Sequence, residues 1–373
     1  MNTPDSSFTP LLPYLQSAEI STLWVADENA LHALEHLPAN VFPLLSLITN
    51  RYDIYTLAKS KGMTAVFNDF DFSTLDTMIN APVERVIYRI SKEKALTHHI
   101  FTQSAKLLST NNASNLANSH VKNRRLSELI ISGKKQEGVK SYQQFLTDTL
   151  QCDGRLKKQG LDYSGTFSNF VENIEFDESY QATTPLPTPH HSHITAQSKP
   201  GVFGWDKIDN GTELLLQSLS EIIEQYRLSP KKLLDLGCGY GWIFINLPYY
   251  LDKKIISQLS VTATDNNATA ILCAEINSKN LPFNTNLIAD DCAKNINEKF
   301  DLILCNPPFH QGFSHDKSLT NKFLEQIKHH LEVDGMAVLV MNEFISLPKQ
   351  QLARFKEYTV HKKQQGFKII ILK

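Results

Sequence analysis

Two short runs in this 373-residue chain hold residues whose types and spacing can do chemistry together. The first is Asp235-Leu236-Gly237-Cys238-Gly239-Tyr240-Gly241, directly after the apolar pair Leu233-Leu234. Glycines leaving a buried strand let the backbone turn sharply and approach a ligand, because no Cβ intervenes. A helix beginning at Trp242 would add free N–H groups and about half a positive charge at that turn. The second run is Asn306-Pro307-Pro308-Phe309, after Leu302-Ile303-Leu304-Cys305 and 71 residues beyond Asp235. A turn of that kind can grip a planar amino group. The chemistry the two runs suggest together is methyl transfer from S-adenosylmethionine to a conjugated nitrogen.

The exocyclic amine of guanine or adenine is a poor nucleophile, because its lone pair is delocalised into the ring. Two acceptors on its hydrogens draw it towards a pyramidal geometry and free that lone pair. Asn306 Oδ1 can be one acceptor and the Pro307 carbonyl the other, with Pro307 and Pro308 fixing the turn and removing competing N–H donors. Phe309 offers a ring face on which a base can stack, worth about 1–3 kcal/mol. An Asn-Pro pair is also a common turn initiator. The full run at the end of a fourth strand, beyond a glycine loop, favours the catalytic reading. His310 and His315 flank the turn and read as loop histidines.

On the cofactor side the glycine loop alone would suit a dinucleotide pyrophosphate as well as a carboxylate. Asp235 can take the ammonium of an amino-acid moiety. Asp265, closing the apolar run 260–264, can accept from ribose hydroxyls in either cofactor class. Asp290 or Asp291, after the run 286–289, can accept an adenine amino group. Cys238 reads as a small packing residue, since nothing nearby would activate it.

The elements that must position these groups follow from periodicity. Helical patterns at 212–226, 242–251, 268–277 and 319–331 alternate with strand-like runs at 232–236, 260–264, 286–289, 300–305 and 336–341. A break is expected near Pro248. Runs at 358–361 and 367–372 close the chain as a hairpin, so the expectation is a doubly wound α/β sheet with a reversed edge. The N-terminal half repeats the rhythm at 22–26, 44–49, 63–66, 83–90 and 129–132. It carries Val25-Ala26-Asp27-Glu28 where the glycines would be, and Tyr88-Arg89-Ile90-Ser91 in place of the Asn-Pro-Pro turn. A second α/β domain whose chemical site is lost is expected over 1–182. Residues 183–200, with three prolines in five positions, read as an exposed linker. The catalytic domain is then 201–373. His190, His191 and His193 lie in that linker without an acidic or cysteine partner and read as a solvated turn.

Composition narrows the class. Apolar content of 42% and charged content of 20% are those of an ordinary soluble protein. No apolar run is long enough for a membrane span, and the first residues lack a secretory pattern. Five cysteines without a Cys-x-x-Cys pair point to a reducing cytoplasm, with no metal site. The net charge of −2 hides an asymmetry. Residues 1–84 hold three Lys/Arg against ten Asp/Glu, and residues 85–158 hold fourteen against five. The basic stretch is of the kind that neutralises phosphates.

Around the two runs stand Pro200-Gly201-Val202-Phe203, Asp209-x-Gly211-Thr212, Leu214-Leu215-Leu216, His310-x-Gly312 and Gly366-Phe367-Lys368. With them the chain resembles the bacterial ribosomal RNA guanine-N(2)-methyltransferases, specifically the small-subunit (RsmC-type) group. The likeness is dense over 200–373 and faint but collinear before that. It implies two Rossmann-like class I methyltransferase-type domains in tandem, the N-terminal one degenerate, with only the second binding S-adenosylmethionine. It implies a guanine of 16S rRNA as substrate, methylated in the assembled 30S subunit by a cytoplasmic monomer. Phe203, Asp209, Gly211 and Thr212 would cover the cofactor, which Asp235, Gly237, Gly239, Gly241 and Asp265 would hold. Tyr240 and Trp242 are bulkier than the family pattern, and Asp290 and Asp291 more acidic. Lys122, Arg124, Arg125, Lys134, Lys135, Lys140, Lys157 and Lys158 would dock RNA through phosphates. The large-subunit sister group, a protein-glutamine methyltransferase and a catalytically dead RNA-binding module remain the competing readings.

Overall fold

The computed structural model describes residues 5–79, 81–117, 127–171, 180–187, 195–308, 310–311, 314–315 and 317–373. Phe309, Lys122, Arg124, Arg125, His190, His191 and His193 lie outside them. The chain divides into two compact units, Met1–Ala182 and Thr183–Lys373.

The strands of the first unit, β1 to β7, are Thr22–Ala26, Leu45–Thr49, Thr64–Phe67, Arg85–Arg89, Glu128–Lys134, Asp153–Gln159 and Asp162–Ser168. They form one sheet in the order β3-β2-β1-β4-β5-β7-β6, with β7 antiparallel to both its neighbours and the other pairs parallel. In the second unit, β8 (Thr184–Pro187) pairs antiparallel with β9 (Thr195–Ser198). Strands β10 to β13 are Lys232–Leu236, Ser260–Asp265, Asn284–Ala289 and Phe300–Cys305. The two-residue strands β14 (His310–Gln311) and β15 (Ser314–His315) form a small ribbon after the Asn-Pro-Pro turn. Strands β16 to β18 are Leu331–Asn342, Tyr358–Gln364 and Phe367–Leu372. The main sheet runs β12-β11-β10-β13-β16-β18-β17, which is the first unit's order element for element. Both units are therefore Rossmann-like α/β domains of one topology.

Alternate residues of the central strands feed cores on opposite faces of each sheet. Leu233 belongs to one cluster, with Leu219 and Val261, while Leu234 belongs to another, with Ile303 and Leu324. Leu23 and Trp24 divide in the same way in the first unit. A parallel sheet covered on both faces buries both sides of its central strands, which is why β1 and β10 carry adjacent apolar residues.

Three sequence expectations change. The stretch 183–200 is not an exposed linker throughout: Leu186 and Ala196, on β8 and β9, are buried in the second unit's core. Pro185 and Pro187 sit in a short two-stranded ribbon, where a missing N–H is tolerated. Pro248 does not break its helix, which runs Trp242–Tyr250 and ends two residues later. Strands β6 and β7 went unread because β6 is exposed along nearly its whole length and offers no apolar pattern.

Candidate active site

Strands β10 to β13 run parallel, with Asp235 level with Ala263 on β11 and Leu304 on β13, and Asp265 level with Ala289 on β12. Their carboxyl ends therefore deliver Asp235, Asp265, Asp290, Asp291 and Asn306 to one edge, where open α/β sheets bind ligands.

Gly237, Gly239 and Gly241 all hold positive φ, at 79°, 55° and 92°. Their reasons differ. A Cβ on Gly241 would lie 2.2 Å from the Phe244 ring, so this glycine admits the helix that follows. A Cβ on Gly239 would meet no protein atom within 4 Å, so this glycine faces open space. The loop is tied to β11: the Gly237 and Cys238 amides donate to the Thr264 carbonyl (2.9 and 3.0 Å), and the Gly239 amide donates to Asp265 Oδ2 (2.9 Å). Asp265 Oδ1 accepts from the Asn267 amide at 2.9 Å, so this carboxylate shapes the loop. Burial, then the Asp265 and Asp235 carboxylates, push the Cys238 thiol well up, which rules it out as a nucleophile.

Asp235 is fully buried, and neither carboxylate oxygen has a hydrogen-bond partner. Burial first, then the Asp265 charge, push its carboxyl up to about 8. The Phe244 amide leans the other way but makes no bond of acceptable geometry. A buried acid left without a donor is costly unless something cationic completes it. The ammonium of S-adenosylmethionine has the right charge, and the open face of Gly239 gives room for the same ligand. These residues fit that cofactor.

Asn306 is held by the start of the Asn210–Tyr226 helix. Asp209 caps that helix, its Oδ2 accepting from the Thr212 amide (2.7 Å) and hydroxyl (3.0 Å). Asn306 Nδ2 donates to the same Asp209 oxygen at 2.9 Å and to Thr212 Oγ1 at 2.7 Å. A carboxylate only accepts, so it must face the NH₂ end of the carboxamide. Both amide hydrogens are thereby used, and Oδ1 is the end left to receive a hydrogen from elsewhere. Asp209 and Thr212, expected to cover the cofactor, are hydrogen-bonded here to Asn306. Gly211 lies between them, with the Phe367 ring 2.8 Å from where its Cβ would be. Pro307 is buried and Pro308 exposed.

The two acids after β12 separate. Asp290 is buried and spends both oxygens on Asn295, taking its amide (2.8 Å) and side-chain Nδ2 (3.1 Å). It shapes the turn that follows β12. Asp291 is partly exposed and pairs through Oδ1 with Lys322, so it is the acid a ligand can reach. Tyr240 and Trp242 are buried in the core rather than crowding the loop. Phe203 is 76% exposed, beside a loop anchored where Asn267 Nδ2 donates to the Gly201 carbonyl at 2.8 Å. Sequence reading missed Asn277, whose Nδ2 donates to the carbonyls of Tyr240 (2.7 Å) and Gln197 (2.9 Å). It stitches the glycine loop to β9, and no local signal marks it.

In the first unit the equivalent edge is filled by charge. The Arg89 guanidinium, at the end of β4, donates to Asp5 (2.7 Å) and Glu137 (2.6 Å). Lys134 joins through Asp5 at 3.1 Å, so it is spent internally rather than offered to phosphate. Asp27, where a glycine would stand, is buried, and desolvation followed by the Glu28 charge pushes it up to about 7. Lys135, Lys140, Lys157 and Lys158 are exposed, as is Arg155 on β6, which sequence reading left out. Lys140 also lies 5.5 Å from the Tyr163 ring centroid.

Residues 193–371 match the model of the "Methyltransferase small domain" family. A solved structure, "T. Thermophilus 16S rRNA N2 G1207 methyltransferase (RsmC) in complex with AdoMet and Guanosine", superposes with a TM-score of 0.73. It covers 99% of this chain and 93% of that one at 16% identity, a likeness of fold. The "Ribosomal RNA small subunit methyltransferase C" of Haemophilus influenzae (strain PittEE) is 30% identical over 249 residues, 66% of this chain and 70% of the relative. The protein of the same name from Pseudoalteromonas translucida is 30% identical over 243 residues, 65% of this chain and 68% of the relative. A likeness of that identity and extent places the chain: it belongs to the ribosomal RNA small subunit methyltransferase C family.

Proposed function

We propose that this chain transfers the methyl group of S-adenosylmethionine to the exocyclic amino group of a guanine in 16S rRNA, within the assembled 30S subunit. It is an S-adenosylmethionine-dependent rRNA (guanine-N(2))-methyltransferase. The observation that carries the chemistry is the locked carboxamide of Asn306, whose NH₂ end is used up by Asp209 and Thr212.

S-adenosylmethionine supplies an electrophilic methyl group on a sulfonium. Asn306 Oδ1 accepts one hydrogen of the guanine amine and the Pro307 carbonyl accepts the other, which frees the nitrogen lone pair for attack. One N–H bond breaks after the N–C bond forms, and the proton passes to water. No side chain need act as a strong base. Asp235 balances the cofactor ammonium, Asp265 meets its ribose, Asp291 its adenine amine, and Phe309 stacks on the guanine.

The first unit serves as a docking module, with Lys135, Lys140, Arg155, Lys157 and Lys158 meeting phosphates. The protein acts as a cytoplasmic monomer. Among the described residues no helix is long and apolar enough to cross a membrane.

The test is methyl transfer from labelled cofactor into 30S and 50S particles of a strain lacking this protein. Label confined to 16S rRNA, at a guanine N2, is expected. Label only in the 50S would assign the chain to the large-subunit reaction. Cofactor binding without label in either particle would leave an RNA-binding module.

A further inference from the structure

Strand β16 is parallel to β13, with Leu339 level with Cys305, so it runs out on the edge that carries Asn306. Just beyond its end Phe344 is 83% exposed, while Ile345 and Leu347 are buried in the core. The backbone on either side is fixed. The Glu343 amide donates to the Gly366 carbonyl (2.8 Å) and the Phe344 amide to Asn342 Oδ1 (3.0 Å). Beneath them Lys368, only 7% exposed, donates through its ammonium to the carbonyls of Glu343 (3.2 Å) and Ile345 (2.5 Å). Burial, then the like charge of Lys363, push that ammonium's pKa down, so the arrangement is a costly one to build. Its effect is to hold the Phe344 backbone still with the ring in solvent.

The turn that carries this ring is linked to the site through residues in register or in contact. Asn342 pairs with Phe367 across β16 and β18, Phe367 packs on Gly211, and Gly211 sits between the two residues that hold Asn306. A guanine within folded RNA must leave its stack to reach Asn306, which uncovers the faces of its neighbours. A fixed aromatic on the same edge can replace part of that lost stacking, for any base, since every base has a π-face. We propose that Phe344 is a stacking platform for a base flanking the methylated guanine. This inference rests on the methyl-transfer reading above.

Wild-type protein, Phe344→Ala, Phe344→Leu and Phe344→Trp would be compared for kcat/KM on 30S particles from a strain lacking the protein. Cofactor affinity, measured by calorimetry on each full-length variant, serves as the control for folding. With stacking of ordinary strength, the Ala and Leu variants should lose roughly 10- to 100-fold, and the Trp variant should stay within about threefold of wild type. Cofactor affinity should be the same in all four. An Ala variant as active as wild type overturns the platform. So does a Leu variant that keeps full activity, because that is the signature of plain apolar packing against protein. If wild type binds cofactor but labels no RNA, the methyl-transfer reading falls first and the platform with it.

Discussion

At the scale of single residues, the site joins a carboxamide held by its neighbours, Asn306, to a buried carboxyl without a hydrogen-bond partner, Asp235. Asn306 is fixed by donation, so removing it should spare the cofactor and harm the chemistry. Asn306→Ala is expected to bind S-adenosylmethionine within about threefold of wild type while kcat falls two to three orders of magnitude, as when one oriented polar group is deleted from a charge-stabilising site. Asp209→Ala separates two roles. If it positions Asn306, kcat drops about 10- to 100-fold with cofactor affinity kept, alongside about 1 kcal/mol of stability lost with the helix cap. A large loss of cofactor affinity would return Asp209 to the cofactor cover. Asp235 makes a prediction with a sign. Its carboxyl, pushed up to about 8, contributes stability that is fully present below its unfolded value and is lost as pH rises through about 8. Asp235→Asn should therefore stabilise the ligand-free protein, by about 3 kcal/mol more at pH 8 than at pH 5, while weakening cofactor binding. Thermal melts at the two pH values, with and without cofactor, check both halves.

At the scale of elements, the glycine loop shows that one motif can contain glycines of different kinds. Gly241→Ala would put a methyl into the Phe244 ring at a φ of 92°, and unfolding should show a cost of about 2–4 kcal/mol. Gly239→Ala meets nothing in the protein, so stability should fall by only about 1–2 kcal/mol from backbone strain, while cofactor affinity drops tenfold or more. Equal losses of stability in the two variants would refute this division. Strands β10 and β13, which lead into the two turns, were legible because parallel strands buried on both faces are largely apolar. The β6–β7 ribbon was not legible, because an exposed edge strand carries charges on every face and so looks like a loop. The 183–200 stretch misled for a related reason: three prolines signal a turn-rich segment, yet two of its four-residue runs pair with each other and cover the core.

At the scale of the whole molecule, charge counted along the chain differs from charge offered to a partner. Arg85 is spent on Glu128, Arg89 on Asp5 and Glu137, and Lys134 on Asp5, so part of the basic stretch cancels inside the first unit. The cations left exposed include Arg155, Lys157 and Lys158 on the β6 edge. Reversing these three to Glu should weaken RNA binding and flatten its dependence on log salt by roughly 0.7–0.9 for each phosphate no longer neutralised, measured by titration at several salt concentrations. Lys134→Gln, by contrast, should lower the first unit's stability and leave the salt slope unchanged. An unaltered slope after the triple reversal would remove β6 from the docking surface.

The sequence by itself determined the order of the parallel strands, the glycine turn and the Asn-Pro-Pro turn, because each is a local pattern whose chemistry and backbone demands fall within a few residues. Only the tertiary structure decided that Asp209 and Thr212 grip Asn306, that Asp290 is bonded to Asn295, and that Lys134 is paired with Asp5. Those outcomes depend on which donor meets which acceptor across long stretches of chain, 97 residues in the case of Asn306 and Asp209. A carboxylate reads the same in sequence whether it waits for a ligand or is already bonded, and packing alone tells the two apart.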